Sequence, residues 1–386
     1  MGKYERKRTK RFSPLRFLLT ALVSICAMIL TVSSINWGVS HIGVPGNSAN
    51  TGSVELAIMD RYDMQMTNEI SSALEGVLSI EKVYWLNDDD QIAPEPDPSK
   101  FGTTADPSTL QPFLDEAKEL LGIEDTLFHT GITLMPGTKI TYYLDETIMV
   151  ITWKEVRHNA AYTISEVKIA HPSQFRRFVA DGVYGSDKQY QTTDMAATVN
   201  AVTASSGDFY KFRSMGGSVY QGQVMRMNNK VDTCFITEEG DMLFVPRGTM
   251  STKEEAQKFV DENKVRFSLA FGPILVDDYK KVPVKGVYPL GEVDDMYPRA
   301  ALCKMGGDLH YLLIASNQEG AYQSVPDIST FADQMVQMGC EKAYALDGGQ
   351  TAVIVTNDKL INRPSYGYQR LISDIIYFAT AIPDGG

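Results

Sequence analysis

The first place in this sequence where chemistry could be done is an apolar strand that runs into Asp-Gly-Gly. Tyr344-Ala345-Leu346 leads directly into Asp347-Gly348-Gly349-Gln350-Thr351. A carboxylate at the end of a strand sits at a sheet edge, where clefts form. Two glycines permit positive φ and let the backbone approach a ligand closely. Successive free N–H groups at such a turn can cradle an anion. Asp-Gly is also common in ordinary turns, so the segment has a plain structural reading as well. Asp208 has a similar setting, after Gly207 and before Phe209 and Tyr210. Those rings can stack on a sugar or simply fill a core. Arg299 follows Pro298 and opens an apolar stretch. A guanidinium fork suits phosphate oxygens, and a surface salt bridge is its ordinary alternative. The run Ala270-Phe271-Gly272-Pro273 is the remaining segment of this kind.

Other chemistries are poorly served. The histidines, at 41, 129, 158, 171 and 310, lie away from these segments and lack metal-ligand spacing. No cofactor is indicated, although a divalent cation held by aspartates stays open. Cys26 lies in an apolar stretch, and Cys234, Cys303 and Cys340 are isolated, with no Cys-x-x-Cys pair. They read as small buried hydrophobes, with one disulfide among the last three left open.

The elements that must position these residues begin near residue 139. Ile140–Leu144 and Thr147–Trp153 are β-rich, and Asp145-Glu146 between them signals a hairpin. Further strands are expected at 162–170, 231–236, 242–245, 309–315, 343–346 and 352–356. Helices are expected at 113–121, stopped by Gly122, at 252–262, opened by Ser251, and at 328–338, opened by Asp327. Strands and helices do not alternate strictly, so the fold class is α+β, a mixed β-sheet core with flanking helices. Ahead of it, 54–80 has helical character. Residues 87–112 read as a loop with five prolines and Asp88-Asp89-Asp90. That acidic run lacks the glycine and distal glutamate of a calcium loop.

The N-terminus carries the clearest signal of placement. Lys3, Arg6, Lys7, Arg8, Lys10, Arg11 and Arg16 form a basic cluster interrupted only by Glu5. No residue from Phe17 to Ile35 is charged. As a helix this run would span about 28 Å, close to the roughly 30 Å of a bilayer core. A basic flank keeps its own side in the cytoplasm. The expectation is a plasma-membrane signal anchor at 17–35, with a cytoplasmic tail at 1–16 and an extracellular bulk. That bulk divides into a spacer or stalk at 36–130 and a domain at 131–386. A cleaved signal peptide, with a weak site at Val32-Ser33-Ser34, is the competing reading. The formal net charge is −12, so removing the +6 of the basic cluster leaves −18 on the remainder. An acidic ectodomain argues against nucleic acid as a partner. Protein partners are not indicated by the sequence.

The ordered set of motifs resembles the phosphodiester glycosidase family. The similar stretches are Gly207-Asp208-Phe209-Tyr210 with Gly217 and Gly222-Gln223-Val224, Phe271-Gly272-Pro273, Arg299-Ala300-Ala301, and Met338-Gly339-Cys340 leading into Leu346-Asp347-Gly348-Gly349. Asn362-Arg363-Pro364 and Arg370 with Ser373-Asp374-Ile375-Ile376 complete the pattern. Ser206 stands where the family often has asparagine, and Thr351 keeps a hydroxyl after Asp-Gly-Gly. The resemblance implies removal of a sugar from a sugar-1-phosphodiester. It implies Asp347 and Asp208 flanking the anomeric centre, with Arg299, Arg370 and the Gly348 and Gly349 amides holding phosphate. Thr351, Gly207 and Tyr210 would complete the substrate contacts. The implied partner is a phosphodiester-linked glycan of a cell envelope or exopolysaccharide. A catalytically silent glycan-binding or envelope-assembly protein with the same fold is the alternative. A membrane-anchored structural protein, binding a partner through 50–130, is a third reading.

Overall fold

A computed structural model describes residues 86–87, 91–123, 128, 132–284, 288, 295–307 and 309–382. The basic tail, the apolar run at 17–35, residues 36–85 with the helical pattern at 54–80, and Asp88–Asp90 lie outside the described residues. Among the described residues no helix is long and apolar enough to cross a membrane.

In chain order the strands are β1 (Phe101–Thr104), β2 (Ile140–Leu144), β3 (Ile148–Arg157), β4 (Ala160–Ile169), β5 (Phe175–Val179), β6 (Thr203–Ser206), β7 (Ser218–Tyr220), β8 (Gln223–Arg226), β9 (Thr233–Thr237) and β10 (Met242–Val245). They continue with β11 (Val265–Leu269), β12 (Ile274–Asp277), β13 (Lys280–Lys281), β14 (Arg299–Met305), β15 (His310–Asn317), β16 (Cys340–Leu346), β17 (Ile354–Thr356), β18 (Lys359–Leu360) and β19 (Asp374–Phe378). The helices are α1 (Gln111–Leu121), α2 (Thr192–Thr198), α3 (Lys253–Glu262) and α4 (Ile328–Gln337). The result is a sheet-rich α+β fold.

A nine-stranded sheet, ordered β1-β2-β3-β4-β15-β14-β16-β12-β13, is the frame. A five-stranded sheet, β18-β17-β6-β19-β5, and a three-stranded one, β10-β9-β11, accompany it. The mixed sheet expected from sequence is antiparallel in all its strand pairs, as in β14 with β16 and β6 with β19. Among the described residues, parallel pairing is confined to the isolated bridge Ala160–Ser324.

Side-chain alternation explains why the central strands are apolar on both faces. Met149, Ile151, Trp153, Leu312 and Ile314 point to one face, where they meet Leu114 of α1 and Phe331 and Met335 of α4. Ile148, Val150, Leu302, Leu313 and Leu346 point to the other, where they meet Phe175, Ile354, Ile376 and Phe378 of the five-stranded sheet. Burial on both faces replaces the polar-out alternation expected of a half-exposed antiparallel strand.

Local signals end the helices where chemistry requires. Asp327 caps α4 by accepting from the Thr330 N–H, as its sequence suggested. Gly122 ends α1 with φ 62°. The cap of α3 is Thr252 rather than Ser251, because Thr252 and Glu255 form a reciprocal capping box.

The described part of the segment read as a stalk contributes to this body. β1 pairs with β2, and α1 packs against the sheet. Leu86, Asn87, Gln91 and Ala93 are stitched to the five-stranded sheet and its turns. The Leu86 N–H donates to Ser173 Oγ, Arg176 donates to Asn87 O, Tyr377 Oη donates to Gln91 O and Asn200 Nδ2 donates to Ala93 O.

Candidate active site

The two large sheets end together. β14 and β16 pair through Ala300 with Leu346, so Arg299 and Asp347 emerge side by side from neighbouring strands. β6 ends at Ser206 and pairs with β19 through Ile375, which sets Gly207-Asp208 beside Asp374. A cleft of about 240 Å³ opens at this junction. Its walls include Asp347, Gly348, Arg370, Arg299, Arg213 and Phe209, with Phe271-Gly272-Pro273 and Tyr297 alongside.

Asp347 is 7% exposed and pairs with Arg370. Burial pushes its pKa up to about 6, although Arg370 and Arg213 pull it down. Asp208 adds a smaller upward push. The Arg370 guanidinium lies 4.4 Å from the centre of the Phe209 ring, and Arg213 lies 5.8 Å from the same ring. Nε of Arg370 and Nε of Arg299 are buried without a hydrogen-bond partner. Arg299 donates from Nη2 to Asp295 O at 2.6 Å. Burial lowers the Arg299 pKa, against the pull of Asp327 and Asp295. The cleft therefore presents one carboxylate of raised pKa among three guanidinium groups in an acidic chain.

Asp208 does not stand opposite Asp347 in this cleft. Its Oδ1 accepts from Arg177 Nη2 at 2.8 Å and from the Tyr210 N–H at 3.1 Å, and its Oδ2 accepts from the Ala270 N–H at 2.7 Å. Arg177 also donates from Nε to Asp374 Oδ2 at 3.0 Å and from Nη1 to Ser268 O. All three charged groups are buried. Burial opposes the Arg177 charge, and Asp208 and Asp374 more than restore it. Burial raises the Asp374 pKa, with Arg177 opposing. The carboxylate expected beside the anomeric carbon is thus saturated behind the cleft floor. What it holds in place is Phe209, a non-glycine residue at φ 63°.

Other expected contacts are also redistributed. The Gly349 N–H donates to Pro298 O at 2.9 Å, so it is engaged within the protein rather than offered to an anion. Gly348 is required by space, since a Cβ there would lie 2.4 Å from Pro298 O. Thr351 donates its hydroxyl to Gly348 O at 2.7 Å and so braces the turn. Gly207 packs on Asp374, whose carboxylate a Cβ would overlap. Tyr210 accepts from the Gly185 N–H and lies under Arg177, away from the cleft. Ser206 donates to Thr351 O at 2.6 Å, tying β6 to the Asp-Gly-Gly turn. Of the expected residues, the cleft gathers Asp347, Arg299, Gly348 and Arg370.

Arg213, Phe209 as the ring under two guanidinium groups, and Arg177 were not singled out from sequence. Arg213 is one cation on an irregular loop, and Arg176-Arg177 reads as a charged pair within β5. Among the described residues, no group of three or more His, Cys, Asp or Glu side chains is placed to hold a metal ion. Cys234, Cys303 and Cys340 are buried and free.

Fold and cleft together define an α+β protein with a carboxylate set among arginines where two sheets end. The family resemblance holds at the level of sequence: residues 197–379 match the phosphodiester glycosidase family. No curated protein matches the chain. Among solved structures, the catalytic domain of zebrafish N-acetylglucosamine-1-phosphodiester alpha-N-acetylglucosaminidase, auto-inhibited by its pro-peptide, is 14% identical. It is matched over 65% of this chain and 85% of that one, with a TM-score of 0.46. A hypothetical protein from Synechocystis is 13% identical over 60% of this chain, with a TM-score of 0.42, and only 62% of its own length is spanned.

Proposed function

We infer that this protein is a phosphodiester glycosidase, removing a sugar from a sugar-1-phosphodiester. The observation that carries the reading is Asp347, buried, raised to about pKa 6 and facing a cleft that also holds Arg213, Arg299 and Arg370. Breaking the bond between the anomeric carbon and its phosphate oxygen leaves positive charge on the ring and an electron pair on the phosphate. Arginines answer the second need, as preorganised cations at the departing oxygen. A phosphate monoester has a second pKa of about 6, so it leaves with cationic help and little need of a proton. Asp347 answers the first, as the carboxylate facing the oxocarbenium-like centre. With a pKa near the working pH it also takes the proton of the water whose oxygen bonds to that carbon. Asp208 has no place in this step and acts through Phe209.

The anchor at 17–35, the exported bulk and a cell-envelope or exopolysaccharide glycan as substrate belong to the same proposal. They are supported by the basic flank and the uncharged run that follows it. The 131–386 domain boundary is part of it too, with the body that carries the cleft reaching back to residue 86.

A silent glycan-binding protein is favoured by one observation, the locking of Asp208 away from the cleft. Turnover of α- and β-linked chromogenic sugar-1-phosphodiesters by the full chain in detergent, beside its Asp347→Asn variant, separates the two. Turnover that the variant loses supports the hydrolase. A folded wild-type protein that binds glycan and releases no product supports the silent reading.

A further inference from the structure

The geometry points to a second binding surface beside the cleft: a rim of exposed aromatic rings that takes the sugars flanking the phosphodiester. The ligand is then an oligosaccharide phosphate rather than a single sugar phosphate. This rests on reading the cleft as the phosphate site.

Phe212 is 46% exposed, Tyr297 53%, Tyr366 85% and Tyr368 62%. Single exposed rings need no explanation, but rings that converge on one site do. These come from three loops that meet at the cleft. Phe212 stacks on Phe209 with ring centres 4.7 Å apart, and Phe209 carries Arg370. Tyr297 lies over Gly349, so closely that a Cβ on that glycine would sit 2.9 Å from the tyrosine hydroxyl. The 3-10 turn Ser365–Gly367 packs on the turn Gly349–Thr351, which sets Tyr366 and Tyr368 on the loop that runs on to Arg370. Tyr366 holds φ 60°, a conformation a bulky residue rarely adopts, with its ring in solvent.

Size gives the rim its use. A cleft of about 240 Å³ is below the range of about 300–1,000 Å³ that holds drug-sized ligands. A sugar phosphate fills it, and the next sugar on either side must cross the rim. Sugar rings present C–H faces and hydroxyls together. A phenol ring matches both, with an apolar face and a polar tip. Three of the four rings are tyrosines, and Arg213 and Arg370 line the cleft beside them. That composition favours a glycan over the acyl region of a bilayer.

The test uses the full chain in detergent, with Asp347→Asn as the parent so that ligand persists. Calorimetry compares a synthetic tetrasaccharide containing one internal sugar-1-phosphodiester with a p-nitrophenyl sugar-1-phosphate. In the Tyr366→Ala/Tyr368→Ala variant the tetrasaccharide Kd rises about tenfold, while the single-sugar Kd stays within about twofold. Unchanged melting confirms folding, which the exposure of both rings makes the expected result. A tetrasaccharide that binds no tighter than the single sugar overturns the proposal. So does an equal loss on both probes, or a rim that holds phosphatidylcholine vesicles or residues 36–81 of this chain in place of sugar. If the wild type hydrolyses neither probe while the rim effect persists, the hydrolase reading falls and the rim stands. If it hydrolyses the single sugar while the rim adds nothing, the rim falls and the hydrolase stands.

Discussion

Asp347 and Asp208 each sit just past the end of a strand, each beside an arginine and each largely buried. Their surroundings divide them. Around Asp208 every direction is filled by a donor: Arg177, the Tyr210 amide and the Ala270 amide. Around Asp347 the arginines are only partly used, with Nε of Arg370 and of Arg299 unpartnered at the wall of an open cleft. Charge and burial alone do not separate the two carboxylates. Saturation does, because a carboxylate whose acceptors are all engaged has nothing left to exchange with a substrate.

The comparison can be broken by substitution. Asp347→Asn is expected to lower turnover by about a thousandfold, the scale of losing a charge that acts at the transition state, with little change in melting temperature. Asp208→Asn is expected to do the reverse in kind. Leaving Arg177 short of a partner in a buried site destabilises by about 3–5 kcal/mol, measurable by denaturant unfolding. If Asp208→Asn melts like the wild type and loses only turnover, Asp208 is not the structural partner of Arg177 that its bonds imply.

The pH profile sharpens it. With Asp347 as the base, kcat/KM should rise with pH through about 6 and then level. Arg370→Gln removes the largest influence lowering that pKa, so the rising limb should move to higher pH. Stability should run the other way. The folded pKa of Asp347 lies above its unfolded value, so its contribution is full below about 4 and is lost as pH rises through about 6. The smallest effect is expected at Ser206, whose bond to Thr351 O braces the Asp-Gly-Gly turn. Ser206→Ala should cost about 1 kcal/mol in stability, with kcat lowered less than in Asp347→Asn.

What was legible in the sequence followed short-range rules. The Asp145-Glu146 hairpin, the Asp327 cap and the strand into Asp347 each need only a few neighbouring residues to be seen, and each is found. What was not legible depends on distant partners. Arg177 meets Asp208 and Asp374, 31 and 197 residues away, and nothing local marks it as buried. Arg213 gains meaning only from Phe209 and the cleft. β1 was hidden because the prolines around it read as a loop, whereas it pairs with β2 as the outermost strand of the sheet, where nearby prolines cost little.

The bonds made by Leu86, Asn87, Gln91 and Ala93 have a mechanical meaning. A pull on the chain from upstream first meets bonds to Ser173, Arg176, Tyr377 and Asn200, which spread across β5, β19 and the turns beside them. Load entering at residue 86 is therefore shared among several anchor points before it reaches the cleft. A cut in the chain ahead of residue 86 would leave these bonds in place.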